Sequence, residues 1–385
     1  MNNSVKRVDL IAYKMNSSDS EHFVKDVLSF SRNSIVFMFD FEKISIVHKP
    51  KNINLLGVKK IPIFRVRNYR LFCFLAPVFF IINFFILFIF FMYLCLRFRP
   101  KACWMENVFA GFIMGILRRC GLCQKAIYVP GDWLVNSKND SFFKYLGNNV
   151  VFPVTDYFAC RFSDLVLHHS QAISDARTNF WHKKVTRIEK PYIYRPRIMV
   201  NESIQNDSAR KKICFIGQIR KDSGLDIIVN MLQLLRQEID IALVVIGPNT
   251  HEYEALKKIV NVHGLEDCVK FYGFIETDHL GEILSECFCG LNLLTSKDSY
   301  SSFAMPGKLM HYIQHLLPVI VSEGIGYFSS EVKGHDLGQV IEAKPDNIKE
   351  SLVGMYHDYA IYKQNILKYI NNFPVSDIKD LITQS

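Results

Sequence analysis

The stretch best supplied for chemistry is 301–322, SSFAMPGKLMHYIQHLLPVIVS. If a helix starts near Pro306, then Leu309, Tyr312, Ile313 and Leu316 recur at i, i+3, i+4, i+7 and share one face. Lys308, His311 and His315 recur at i, i+3, i+7 and share another. Proline suits the first helical turn, where its missing N–H costs nothing. Such a helix would turn free amides, a cation and two imidazoles outward, which is chemistry for an anion such as a phosphate. The same stretch also fits a half-buried helix feeding the strand PVIVS. Other clusters are thinner. Cys120 and Cys123 form one C-x-x-C, but no second pair or suitably spaced histidines complete a zinc site, so no metal is expected. His168 and His169 are neighbours on a strand, point to opposite faces and do not chelate together.

The elements that would position these residues follow a regular order. From Lys211 onward, strands at Ile213–Ile216, Ile241–Ile246, Val269–Tyr272, Cys289–Leu294 and Val319–Val321 alternate with helical stretches. Gly217, Gly247 and Gly273 close the first three strands, at the carboxyl edge where an open parallel sheet binds ligands. There is no G-x-G-x-x-G, so a dinucleotide is not expected. The first half repeats the alternation, with strands at Val8–Tyr13, Ser34–Asp40, Ala126–Val129 and Leu165–His168. An α/β fold with two domains fits a chain of 385 residues.

Between the first strands lies Leu71–Leu96, which carries no charge. By length it could cross a bilayer. Both flanks are basic, however, with Lys59, Lys60, Arg65, Arg67 and Arg70 before it and Arg97, Arg99 and Lys101 after it, so orientation is not set. A span would also split the sheet that the flanking strands build. In-plane or re-entrant membrane association is therefore the expectation, with Phe84, Phe85, Phe88 and Phe91 meeting lipid. A simple span and a buried core helix are the alternatives. The formal net charge of +9 suits an anionic partner, either a membrane surface or a phosphate-bearing ligand. No aromatic-interleaved basic cluster points to nucleic acid. The amino terminus, MNNSVKRVDLIAYKM, lacks an apolar core for a secretory signal, and scattered cysteines suggest reduced thiols, so a cytoplasmic setting is expected.

FIGQIRKDSGLDIIV, LVVIGP, VKFYGFIETDHLGEILSECFCGLNLL and MPGKLMHYIQHLLPVIVS together resemble the carboxyl-terminal domain of group 1, family 4-like glycosyltransferases of the GT-B fold. RPKACWMENVFAGFIMGILRRCG and YFACRFSDLVLHHS resemble amino-terminal patterns of that family. The resemblance implies two Rossmann-like domains facing across a cleft. Residues 1–195 would be the acceptor side, including 71–96, and 196–358 the nucleotide-sugar domain. The tail 359–385 would return to the first domain. It also implies a UDP- or GDP-sugar donor without a further cofactor. Lys308 and the helix amides would hold the diphosphate, with Gly217, Arg220, Lys221 and Ser302 as further donor-binding residues, His311 at a ribose hydroxyl, and Tyr272, Gly273 and Phe274 near the base. Two departures stand out. The family's E-x7-E positions hold Phe303 and His311, and its basic pair after the first strand is Gln218 and Ser223. P-x-K-L-x-x-Y without the glutamates resembles the membrane-associated inverting glucuronosyltransferase-type branch. An inverting transfer needs a base, and Asp132 after the turn in AIYVPGDWL is the candidate, with Asp156 and Asp164 as alternatives.

The implied function is transfer of a sugar to a lipid-linked or glycolipid acceptor in surface polysaccharide synthesis, by a peripheral or monotopic protein on the cytoplasmic face of the cell membrane. A non-catalytic, glycosyltransferase-like scaffold subunit is the main alternative, and a GT-B sugar-nucleotide epimerase a third.

Overall fold

Short apolar runs and amphipathic stretches become parallel strands and crossover helices, and the chain builds this pattern twice. The computed structural model describes residues 7–15, 20–39, 43–49, 60–62, 76–131, 133, 135, 142–185, 192–193, 211–221, 223–236, 239–275, 279–294, 307–323, 325–373 and 377–383. Two units separate: Met1–Arg197 with Val375–Ser385, and Ile198–Pro374.

The first unit holds β1 (Leu10–Met15), β2 (Ser34–Phe39), β3 (Lys43–His48), β4 (Lys60–Pro62), β5 (Ala102–Met105), β6 (Lys125–Tyr128), β7 (Leu165–His168) and β8 (Tyr192–Ile193). They form one sheet in the order β4-β3-β2-β1-β5-β6-β7-β8. Only the β2–β3 and β3–β4 pairs are antiparallel. Its helices are α1 (Ser20–Phe30), α2 (Ala76–Phe98), α3 (Val108–Arg119), α4 (Phe142–Leu146), α5 (Phe152–Phe162) and α6 (Gln171–Trp181), with a π-helical turn at Gly147–Val151 joining α4 to α5. Asn107 starts α3 by accepting hydrogen bonds from the Phe109 and Ala110 amides.

The long apolar segment is α2, the crossover helix that returns the chain from β4 to β5. From Leu87 onward it lays Phe91, Leu94, Cys95 and Phe98 into the core. Its end is stitched to the sheet, since the Val8 amide donates to the Phe98 carbonyl and the Ala102 amide to Asp9. With β4 before it and β5 after it in one sheet, a simple span does not fit this structure. Nor is α2 fully buried, because its other side is exposed. The four phenylalanines expected at lipid therefore part company. Phe91 is core, Phe84 and Phe88 are partly buried against it, and Phe85 faces outward.

The second unit is a six-stranded parallel sheet of β9 (Lys212–Ile216), β10 (Ala242–Ile246), β11 (Val269–Gly273), β12 (Cys287–Asn292), β13 (Val319–Ser322) and β14 (Gly338–Ile341). Its order is β11-β10-β9-β12-β13-β14. One face is covered by α7 (Leu225–Leu235), α8 (His251–Val262) and α12 (Pro345–His357). The other is covered by α9 (Leu280–Leu284), α10 (Gly307–Gln314), α11 (Gly326–His335) and α13 (Tyr359–Asn372). The sequence reading sends the chain back to the first unit from residue 359. Instead, Ile366, Tyr369 and Phe373 fill the second unit's core. Only the final stretch, with α14 (Ile378–Thr383), joins the first unit.

Candidate active site

Strand order in the second unit reverses between β9 and β12, since the chain winds outward one way through β10 and β11 and the other way through β13 and β14. The carboxyl ends of two such strands open a crevice, the usual ligand position in an open α/β sheet. Three glycines shape this edge. The Gly217 amide donates to the Ile246 carbonyl and the Gly247 amide to the Gly273 carbonyl, each at 2.8 Å. A Cβ on Gly247 would lie 2.1 Å from the Gly217 oxygen, and Gly217 itself holds φ +115. Side chains are therefore kept away from the strand ends, leaving backbone open to a ligand.

The helix α10 follows β12. Leu309, Tyr312, Ile313 and Leu316 are all buried, as the spacing predicts. Lys308 lies in its first turn with Nζ 4.5 Å from the centroid of the Phe215 ring on β9. The ammonium thus stands next to the end of β9, beside the crevice. The imidazoles do not face outward as expected. His315 is buried, with Nδ1 2.8 Å from the His311 carbonyl of its own helix. His311 is half-buried, and its Nδ1 has no partner among the described residues. Burial, assisted by neighbouring His315, lowers its pKa to about 4, so it is neutral near pH 7.

Sequence reasoning passed over what locks this crevice. The Tyr312 hydroxyl accepts from the Ile216 amide at 2.9 Å and has the Leu291 carbonyl as an acceptor at 3.2 Å, tying β9 to β12. The ring fits because residue 290 is glycine: a Cβ there would sit 2.4 Å from it. Asn292, at the end of β12, is buried with its Nδ2 unpaired among the described residues.

Arg220 and Lys221 lie on the turn after β9 and are exposed. Ser223 is buried and closes that turn, its Oγ accepting from the Arg220 amide at 2.8 Å. Tyr272 and Gly273 end β11 and Phe274 follows it, two strands from β9, hence about 10 Å along the edge. Phe274 is 76% exposed. Ser302 and Asp132 lie outside the described residues.

Residues 200–371 match the family described as glycosyl transferases group 1. Similar solved structures span nearly the whole chain. Sucrose-phosphate synthase from Thermosynechococcus elongatus is 13% identical, with TM-score 0.64, covering 97% of this chain and 96% of its own. Anabaena HepE, solved in complex with UDP, is 13% identical with TM-score 0.63, covering 98% of each. The lipopolysaccharide outer core galactosyltransferase WaaB is 14% identical with TM-score 0.53, covering 94% of this chain and 98% of its own. A search among curated proteins gives no match. The second unit is a group 1 glycosyltransferase domain. The fold is GT-B, and the enzyme class that goes with it is the nucleotide-sugar-dependent glycosyltransferases.

In the unit that accompanies this glycosyltransferase domain, strand order reverses between β1 and β5. A buried pair stands there: Lys14 Nζ donates to Glu106 Oε1 at 3.0 Å, and Trp104 Nε1 donates to the same oxygen at 3.1 Å. The two alternative bases are engaged elsewhere. Asp156 is buried, accepting from Arg177 Nε at 2.7 Å and from the Tyr128 hydroxyl at 2.7 Å. Asp164 accepts from Arg118 Nε at 2.9 Å and the Ala126 amide at 2.8 Å, at the amino end of β7. Neither is placed to take a proton from an acceptor. Arg177 also donates to the Gly131 carbonyl at 3.4 Å and lies over Trp133, so it braces both neighbours of residue 132. Among the described residues no group of His, Cys, Asp or Glu is placed to hold a metal ion.

Proposed function

We propose that the protein transfers a sugar from a UDP-sugar to a lipid-linked or glycolipid acceptor at the cytoplasmic membrane surface, in the making of a surface glycan. One observation carries the donor side: a carboxyl edge that Gly217, Gly247 and Gly273 keep clear of side chains along β9, β10 and β11, with Lys308 beside its β9 end in the first turn of α10. Free amides at a helix start and an adjacent ammonium stabilise the charge that grows on a leaving diphosphate as its bond to the sugar breaks. Tyr272–Phe274, about 10 Å along the same edge, fits the reach of a nucleoside. Neutral His311 can accept or donate one hydrogen bond to a ribose hydroxyl. The UDP held by HepE supports uridine over guanosine as the nucleotide.

On the acceptor side Asp132 is the proposed base, and Arg177 positions its neighbours. Glu106, already accepting from Lys14 and Trp104, suits orienting an acceptor hydroxyl rather than deprotonating it. UDP titration calorimetry with single-turnover kinetics tests this division. Lys308→Ala should lose about tenfold or more in UDP affinity, the worth of a charged hydrogen bond, and should slow transfer as well. Asp132→Asn should keep UDP affinity while transfer falls by roughly 10²–10⁴-fold. Unchanged UDP affinity in Lys308→Ala would remove α10 from the donor site. Retained transfer in Asp132→Asn would make Glu106 the next carboxylate to test.

A further inference from the structure

The helix α2 is longer than the sheet it covers. Its 23 residues span about 34 Å, whereas β5, with four, spans about 13 Å. The Phe98 end is fixed at the amino edge of the sheet by the Val8 amide. The helix runs antiparallel to β5, so the excess projects past the carboxyl edge, where α/β sheets take their ligands. Burial marks the same division. Core residues begin at Leu87, and none of the described side chains between Val78 and Ile86 is buried.

The overhang is apolar on the outside. Ile81 and Phe85 on the overhang and Ile89 just past it, spaced i, i+4, i+8, are 53%, 57% and 59% exposed. A helix apolar all round needs an apolar neighbour on every side. A second helical stretch repeats the arrangement. Between Phe142 and Phe152 no described side chain is buried, and Phe142, Tyr145 and Val150 are exposed. Rings connect α2 to α5, the helix that this stretch runs into: Phe84 lies 6.2 Å from Phe112 of α3, and Phe112 lies 6.1 Å from Phe158 of α5. Charge completes the picture. Residues 43–75, which lead into the overhanging end of α2, contain eight Lys and Arg and no Asp or Glu. The single acid of α4 and α5, Asp156, is buried against Arg177.

We infer that the overhanging halves of α2 and of the α4–α5 stretch form one surface that inserts into an anionic lipid leaflet at the carboxyl edge of the first sheet. Contiguous apolar surface of this kind marks a protein or membrane contact. The absence of exposed acid on these helices and the basic excess in the sequence that leads into α2 select an anionic bilayer. The inference deepens the lipid-linked acceptor reading and rests on it: a leaflet at this edge delivers a lipid-held hydroxyl to the acceptor side without the lipid leaving the membrane.

The test uses the full chain and vesicles of phosphatidylcholine with or without phosphatidylglycerol. The parent should sediment with the anionic vesicles, and less so at high salt. The triple variant Ile81→Ser, Phe85→Ser, Ile89→Ser changes only exposed positions. It should bind these vesicles about 100-fold more weakly, the loss expected from about 1 kcal/mol of burial at each of three side chains, with UDP affinity and thermal unfolding unchanged. Phe85→Trp should shift its emission to the blue on anionic vesicles and be quenched by brominated acyl chains. Vesicle binding by the triple variant equal to the parent's, or Phe85→Trp unquenched on vesicles that the protein does bind, overturns the surface. So does a parent that ignores both vesicle types, or a face that captures only a protein partner. If UDP binding and transfer to a soluble acceptor persist in that case, the transferase reading stands without the lipid surface.

Discussion

At the scale of single residues, the described polar groups with most at stake are those buried without partners. His168 closes β7 in the first unit, and neither of its ring nitrogens has a hydrogen-bond partner among the described residues. Burial first, then the charges of Arg177 and neighbouring His169, lowers its pKa from the ordinary 6.5 to about 3. The folded state therefore requires the neutral ring. That contribution is complete above pH 6.5 and is lost as pH falls toward 3. At pH 5 the loss amounts to about 2 kcal/mol. His168→Phe removes the titration while keeping a ring, so its melting temperature should fall less than the parent's between pH 7 and pH 5. Parallel melting profiles for the two proteins would show that His168 does not set the acid limit. His311, lowered for the same reason but only to about 4, stays neutral across that window and should give nucleotide binding little pH dependence of its own.

Elements were legible in the sequence where a period or a turn residue encodes them. The apolar stripe of α10 was readable from four positions, and the carboxyl edge of the second sheet from three glycines. What stayed hidden joins residues far apart in the chain. The Tyr312 hydroxyl reaches the Ile216 amide across 96 positions, and Lys14 reaches Glu106 across 92. No local pattern announces such pairs. The division of α2 into core and overhang was hidden for a different reason: hydropathy is uniform around the helix, so only the length of the strands beneath shows where cover ends. The Gly290–Tyr312 fit belongs at this scale. Gly290→Ala puts a methyl into a ring that is buried and hydrogen-bonded, so neither side can yield easily. We expect a loss of about 1–3 kcal/mol and weaker UDP binding, read by urea unfolding and calorimetry. An alanine variant as stable as the parent would mean that the β9–β12 junction can repack.

At the scale of the whole molecule, the first unit is discontinuous. In α14, Leu381 and Ile382 are buried in the same cluster as Leu10, Ala12, Ile127 and Leu165, and Lys125 Nζ donates to both their carbonyls at 3.0 and 3.2 Å. Ending the chain after Pro374 removes this plug and leaves the second unit's own core untouched. Scanning calorimetry should then show the first unit's transition lowered and the second's unmoved. A single transition shifted as a whole would mean that the units unfold together. The same late-arriving helix governs the order of events on the ribosome. Domains usually fold as they emerge, amino-terminal first, but here the leading sheet keeps one face incomplete while the entire second unit is translated. During that interval Leu10, Ile127 and Leu165 remain open to wrong partners, and a nascent chain stalled anywhere in the second unit leaves behind an unfinished first one.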